Sequence, residues 1–200
     1  MILKHLSSRL AGGGGQDDVP PHRLLQAEER LSPSVMKPGD HPEFFRFPAP
    51  EGRSRESTIV LDAEGRFWHH GELVEHGKLA AAMHSWISRH PDDGRYILEN
   101  GYDWTYFTVD DAPYFVSALK FAGQDIVLSL SDGTEEEWDP ADTRVGEQGA
   151  LYARVKKRAR GGPFEARFCR HAQHALADVL VEQGGSPAIK LHGRTIPIGS

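Results

Sequence analysis

An α+β fold of two lobes, each a small, mostly antiparallel sheet packed with one long helix, is what the sequence predicts. Three observations carry that expectation. From Ser57 onward, short β-rich runs alternate with Gly, Asp and Asn turn signals. Two stretches switch to a helical period. Those two stretches occupy matching places in segments that echo each other, which predicts a domain duplication.

Residues 1–54 read as a Pro/Gly-rich N-terminal extension. They hold the Gly12–Gly15 run and prolines at 20, 21, 33, 38, 42, 48 and 50. Proline removes a backbone donor and glycine costs chain entropy, so regular structure is expected to be sparse there. "PHRLLQAEERL" predicts one short helix, and the first dozen residues are expected to be mobile. "PEFFRFP" is too aromatic for a plain linker and predicts docking onto the body of the protein.

Residues 55–110 read as a β-β-α-β-β lobe. "STIVLDA", an Glu64-Gly65 turn and "RFWHH" give a hairpin. From Glu75 to His90 the period becomes helical, with Leu79, Ala82, Met83, Trp86 and Ile87 on one face. "PDDG" ends that helix. "RYILEN" and "DWTYFTV" form a second hairpin around Gly101-Tyr102.

Residues 111–200 read as a β-rich lobe with a long helix and an extended tail. "PYFVSALKF", "DIVLSLS", "TEEEWD" and "ALYARVKK" are strand-like. A helix is expected from Phe164 to about Gln183, followed by the extended "AIKLHGRTIPI". The echo pairs "GRFWHHGELVEHGKLAAAMHSWISRH…GRYIL" with "GALYARVKK…PFEARFCRHAQHALADVL…SPAIKL": glycine, aromatic strand, loop, helix, strand.

Composition bounds the function. Hydrophobic content of 38% and charged content of 26% suit a globular chain of 200 residues. A net charge of −6 argues against general attraction to nucleic acid or an anionic membrane. A single cysteine, Cys169, excludes an internal disulfide and cysteine-rich zinc sites, so a reducing, cytoplasmic setting is expected. The opening residues lack the apolar stretch of a signal peptide, and no segment approaches the roughly 18 apolar residues of a membrane span.

The densest polar stretch is "RFWHHGELVEHG", residues 66–77. Strand alternation would send His69 and His70 to opposite faces, and the order is not H-E-x-x-H. Polar residues satisfied at a sheet edge and a helix entry are the favoured reading, and no metal or other cofactor is expected. "SDGTEEEWDPAD" lacks the alternating ligands of an EF-hand loop. "KKRARGG" lacks the interleaved aromatics of a nucleic-acid surface. In the second helical stretch, Phe168, Ala172, Leu176 and Val179/Leu180 would form the buried stripe. Arg167, Arg170, His171, His174 and Asp178 would share the polar face, with Arg167, Arg170 and His174 a line of nitrogen donors suited to a phosphate or carboxylate. No motif assembles a catalytic set.

"GRFWHHG", "DDGRYIL", "TVDDAPYFV" and "FEARFCRHAQHAL" together resemble a bacterial family catalogued as a domain of unknown function, across roughly residues 57–183. The resemblance implies a duplicated α+β architecture, a pleckstrin-homology-like C-terminal half, and a ligand site at the domain interface for a nucleotide-like molecule with a signalling role. By position, His69, Asp111, Glu165 and Arg170 match its motif residues. Two cationic positions differ: Asn100–Trp104 replaces a turn that carries a lysine, and His76 stands where the family has arginine.

The expectation is therefore a non-catalytic protein that binds a nucleotide-like or other anionic small molecule in a regulatory role. Its ligand-binding residues would be His69, Asp111, Glu165, Arg167, Arg170 and His174. The alternatives are a metal-assisted hydrolase using His69, Glu75, His76 or His174, and a protein-interaction module. A homodimer is compatible with either. An Asp111–Arg170 pair is one way in which the lobes could be clamped.

Overall fold

The computed structural model describes residues 36–199 except 42, 124 and 192. The helix expected in residues 21–31 and the expected mobile start lie outside the described residues. Among the described residues, sixteen strands and two α-helices make an α+β, mostly sheet fold.

β1 (Ile59–Leu61) and β2 (Phe67–His69) form the first hairpin, extended by β3 (Glu72–Leu73). Helix α1 (Gly77–Ser85) follows, then the antiparallel meander β4 (Ile87–Arg89), β5 (Tyr96–Glu99) and β6 (Trp104–Tyr106). β7 (Thr108–Val109) returns to lie parallel to β1. β8 (Tyr114–Ala122), β9 (Asp125–Leu130), β10 (Glu135–Glu137), β11 (Thr143–Val145), β12 (Leu151–Val155) and β13 (Phe164–Phe168) build a six-stranded half-barrel sheet in the order β10-β9-β8-β13-β12-β11. All its pairs are antiparallel except β13 with β8. Helix α2 (Arg170–Ala175) leads to a second meander of β14 (Leu180–Gln183), β15 (Ser186–Leu191) and β16 (Arg194–Pro197). A hairpin, a short helix and a three-stranded meander thus occur in that order twice.

Both helices are shorter than the helical periods predict. α1 begins where His76 Nδ1 accepts the Leu79 amide at 3.2 Å, an N-cap made by an imidazole. It stops at Ser85, because Ile87–Arg89 pair with Leu98–Tyr96 instead of continuing the coil. The expected helix from Phe164 is corrected more severely, since its first five residues are β13. Phe164, Ala166 and Phe168 are buried while Glu165 and Arg167 face outward, the alternation of a half-buried strand. β13 also bonds to strands on both sides, Phe164–Arg167 to β12 and Ala166–Phe168 to β8, so its backbone groups are paired across the sheet instead of along a helix. Phe168, Ala172 and Leu176 are all buried, as the stripe requires, but Phe168 reaches the core from a strand, and Leu180, 39% exposed, begins β14 where the expected helix would run on to Gln183.

One apolar core runs through both halves. Leu61, Phe67, Met83 and Leu98 belong to it together with Val116, Phe164, Leu176 and Ile189, all almost wholly enclosed. The β1–β2 turn is pressed into this junction. Gly65 sits at φ +81°, and a Cβ there would lie 2.9 Å from the Phe115 ring, so only glycine fits. Its carbonyl accepts from Nε2 of buried His84 at 3.2 Å. The segment before β1 docks as "PEFFRFP" predicts. Phe44 and Phe45 pack with Ile97 and Trp104, and the Gly39 amide donates to the Gly101 carbonyl at 2.9 Å.

Candidate functional site: a cleft beside α2

The site grows from the outer face of β13. Alternation turns Glu165 and Arg167 away from the core, opposite Arg154 and Tyr152 on β12. Arg144 of β11 stands next to Tyr152, with its guanidinium 3.8 Å from the ring centroid. Glu165 receives a two-pronged bond from Arg144, through Nε and, at 2.8 Å, Nη2. That bond holds the Glu165 carboxyl below the usual glutamate range.

Arg167 reaches the link between the halves. Its Nη1 donates to Asp111 Oδ2 at 2.8 Å and to the Ala63 carbonyl at 3.3 Å. The Tyr152 hydroxyl donates to the same carboxylate, at 2.9 and 3.2 Å. Burial, followed by this bond, pushes the Tyr152 phenol upward. Asp111 therefore ties β12 and β13 to the β7–β8 link, while Ala63 ties in the β1–β2 turn. The partner of Asp111 is Arg167, where the sequence offered Arg170.

Beyond Arg167 lies an open cleft of about 720 Å³. Arg167 and Phe168 form its floor with Phe115, and α2 forms one wall through Arg170, Gln173 and His174. The facing walls are the β1–β2 turn, with Glu64, and the turn before β12, with Glu147 and Gln148. Gln148 holds φ +55°, a left-handed conformation that costs a non-glycine residue about 1–3 kcal/mol and is often kept at functional sites. Gln173 Nε2 donates to the Gly149 carbonyl at 2.7 Å, fixing that turn to α2. Cys169 Sγ accepts the Ala172 amide at 3.5 Å and so caps α2.

Of the six residues expected to bind ligand, Arg167, Arg170 and His174 line this one cleft. Asp111 is bonded to Arg167, and Glu165 lies on the same strand face but borders a smaller groove with Arg144 and Tyr152. Arg170 and His174 are exposed, and Arg170 has no hydrogen-bond or ion-pair partner among the described residues.

His69 lies elsewhere. It borders a cleft of about 810 Å³ between residues 50–59 and β6, together with His70, Arg55 and Trp104. The two histidines are not on opposite faces. His70 takes φ +52°, which breaks the alternation and brings the rings to 4.2 Å. Burial, and then His70 beside it, lower the His69 pKa. His76 is used as a helix cap and His174 sits in the α2 cleft, so the hydrolase ligand set is dispersed. Among the described residues, no group of three His, Cys, Asp or Glu is placed to hold a metal ion. Tyr152 and Arg144 escaped the sequence reading, although "TRV" and "ALYARV" carry the alternation that puts them on this face.

The likeness of this chain to solved structures is one of fold alone. The chain resembles a DUF1285 family protein from Silicibacter pomeroyi DSS-3 at 18% identity, with TM-score 0.57 over 78% of this chain and 92% of that one. It also resembles a DUF1285 family protein from Shewanella baltica OS155 at 17% identity, with TM-score 0.50 over 62% of this chain and 94% of that one. No family model matches the sequence, and no curated protein does. No helix among the described residues is long and apolar enough to cross a membrane.

Proposed function

We propose that the protein binds a small molecule carrying a carboxylate or phosphate in the α2 cleft and acts as a regulatory or signalling module in the cytoplasm. The observation that supports this most is Arg170, an arginine fork on a cleft wall whose donors meet no protein acceptor among the described residues. Arg167 and His174 add nitrogen donors beside it, and a planar guanidinium suits either anion. Catalysis has less support, because the histidines and glutamates of "RFWHHGELVEHG" are divided between a cap, a second cleft and the surface.

The architecture belongs to the same reading. We take the repeated hairpin–helix–meander order as a domain duplication and, with it, the chain as a relative of the DUF1285 proteins. The meanders β8–β10 and β11–β13 followed by α2 support a pleckstrin-homology-like C-terminal half. The test is a melting-shift panel of small carboxylates, inorganic phosphate and nucleoside monophosphates on the full chain. A ligand present at 100 times its Kd stabilises the native state by about 2.7 kcal/mol. At least one probe is expected to raise the melting midpoint, and Arg170→Gln to abolish the rise. A flat response across the panel would refute the proposal.

A further inference from the structure

We infer that the α2 cleft takes a zwitterion: a molecule with one carboxylate and one ammonium on an apolar body, as in a free amino acid with an apolar side chain. This rests on the cleft being a ligand site and narrows what fills it. The charges lining the cleft are mostly neutralised within the protein. Arg167 is paired with Asp111 at 2.8 Å, and Glu64 with Arg66 at 3.0 Å. That leaves Arg170 on the helix wall and Glu147 on the opposite turn, each without an ion-pair partner among the described residues. One unpaired cation and one unpaired carboxylate therefore line the same cleft.

The two walls are held in register. Gln173 lies one helical turn beyond Arg170, and its bond to the Gly149 carbonyl anchors the turn that carries Glu147. The turn is bent by two successive left-handed residues, Gln148 at φ +55° and Gly149 at φ +76°. A polyanion such as a nucleoside triphosphate would set several negative charges against a single unpaired arginine, with Glu147 repelling them. A lone carboxylate on the Arg170 fork and an ammonium on Glu147 would use both walls. Ala177 and Leu180, both exposed on the cleft lining, offer an apolar surface for the ligand's body.

Calorimetric titration of the full chain tests this. The probes are L-phenylalanine and L-leucine, the deaminated and decarboxylated counterparts of each, inorganic phosphate and AMP. An amino acid is expected to bind at least tenfold more tightly than either of its one-ended counterparts. Glu147→Gln should remove the preference over the deaminated compound, and Arg170→Gln the preference over the decarboxylated one. Both side chains are exposed, so unchanged melting midpoints will show that the variants fold. A deaminated acid, phosphate or AMP binding as tightly as the amino acids, with Glu147→Gln without effect, would overturn the zwitterion and leave the anion site standing. No binding by any probe would remove both.

Discussion

Asp111 is the acceptor on which the junction between the halves converges, so Asp111→Ala is the most informative single perturbation. It deletes the partner of Arg167 at 2.8 Å and of the Tyr152 hydroxyl at 2.9 Å. Hydrogen bonds to a charged group are each worth about 1.5–3 kcal/mol. Solvent screens part of that here, because the Arg167 and Asp111 side chains are 33% and 22% exposed. Tyr152 is buried, and its hydroxyl would lose the carboxylate as its acceptor. The combined loss is expected to be about 2–3 kcal/mol. For a chain of this size that lowers the melting midpoint by roughly 4–12 °C, at about 2–4 °C per kcal/mol. Urea unfolding of Asp111→Ala, Arg167→Met and the double variant gives the pairwise term directly, expected at about 1–2 kcal/mol. Additivity within about 0.3 kcal/mol would refute the clamp and leave Arg167 as a surface residue.

Two further outcomes follow from buried ionisable groups. His84 donates through Nε2 to Gly65, and its buried Nδ1 has no partner among the described residues; burial lowers its pKa in the folded state. Below about pH 6.5 the unfolded chain then binds the proton more readily, so stability present above that pH is lost as pH falls toward the folded value. His84→Gln should flatten the stability curve below about pH 6.5; an unchanged slope in denaturant melts would contradict this. Lys156 forms an ion pair at 2.7 Å with Asp132, the two side chains being only 14% and 6% exposed. Burial pushes Asp132 up, but its bonds to Lys156 and Thr134 outweigh that and hold it below the usual range. Lys156→Met should cost about 3 kcal/mol by stranding that carboxylate, and adding Asp132→Asn should recover most of it. A double variant no more stable than the single one would show that the pair is not the cause.

The sequence by itself determined β8, β9, β10 and β12, the turns that join the first three, and the docking of Phe44 and Phe45. Those features are written locally: period-two alternation, glycine and aspartate turns, aromatic residues with nowhere else to go. It also put Arg167, Arg170 and His174 together, because spacing along one segment survives the change from helix to strand at Phe168. Only the tertiary structure decided that Phe164–Phe168 is a strand, since its hydrogen bonds go to β8 and β12, about fifty and twelve residues earlier. The same holds for the choice of Arg167 over Arg170 as the partner of Asp111. Both arginines are near in sequence, and only the outward turn of β13 brings one of them to a carboxylate 56 residues away. His69 and His70 obey the same logic in reverse. Alternation would have parted them, and a left-handed His70, bonded to Thr58 across the hairpin, put them side by side. Local pattern fixes which face a residue can present, and long-range pairing fixes what it meets there.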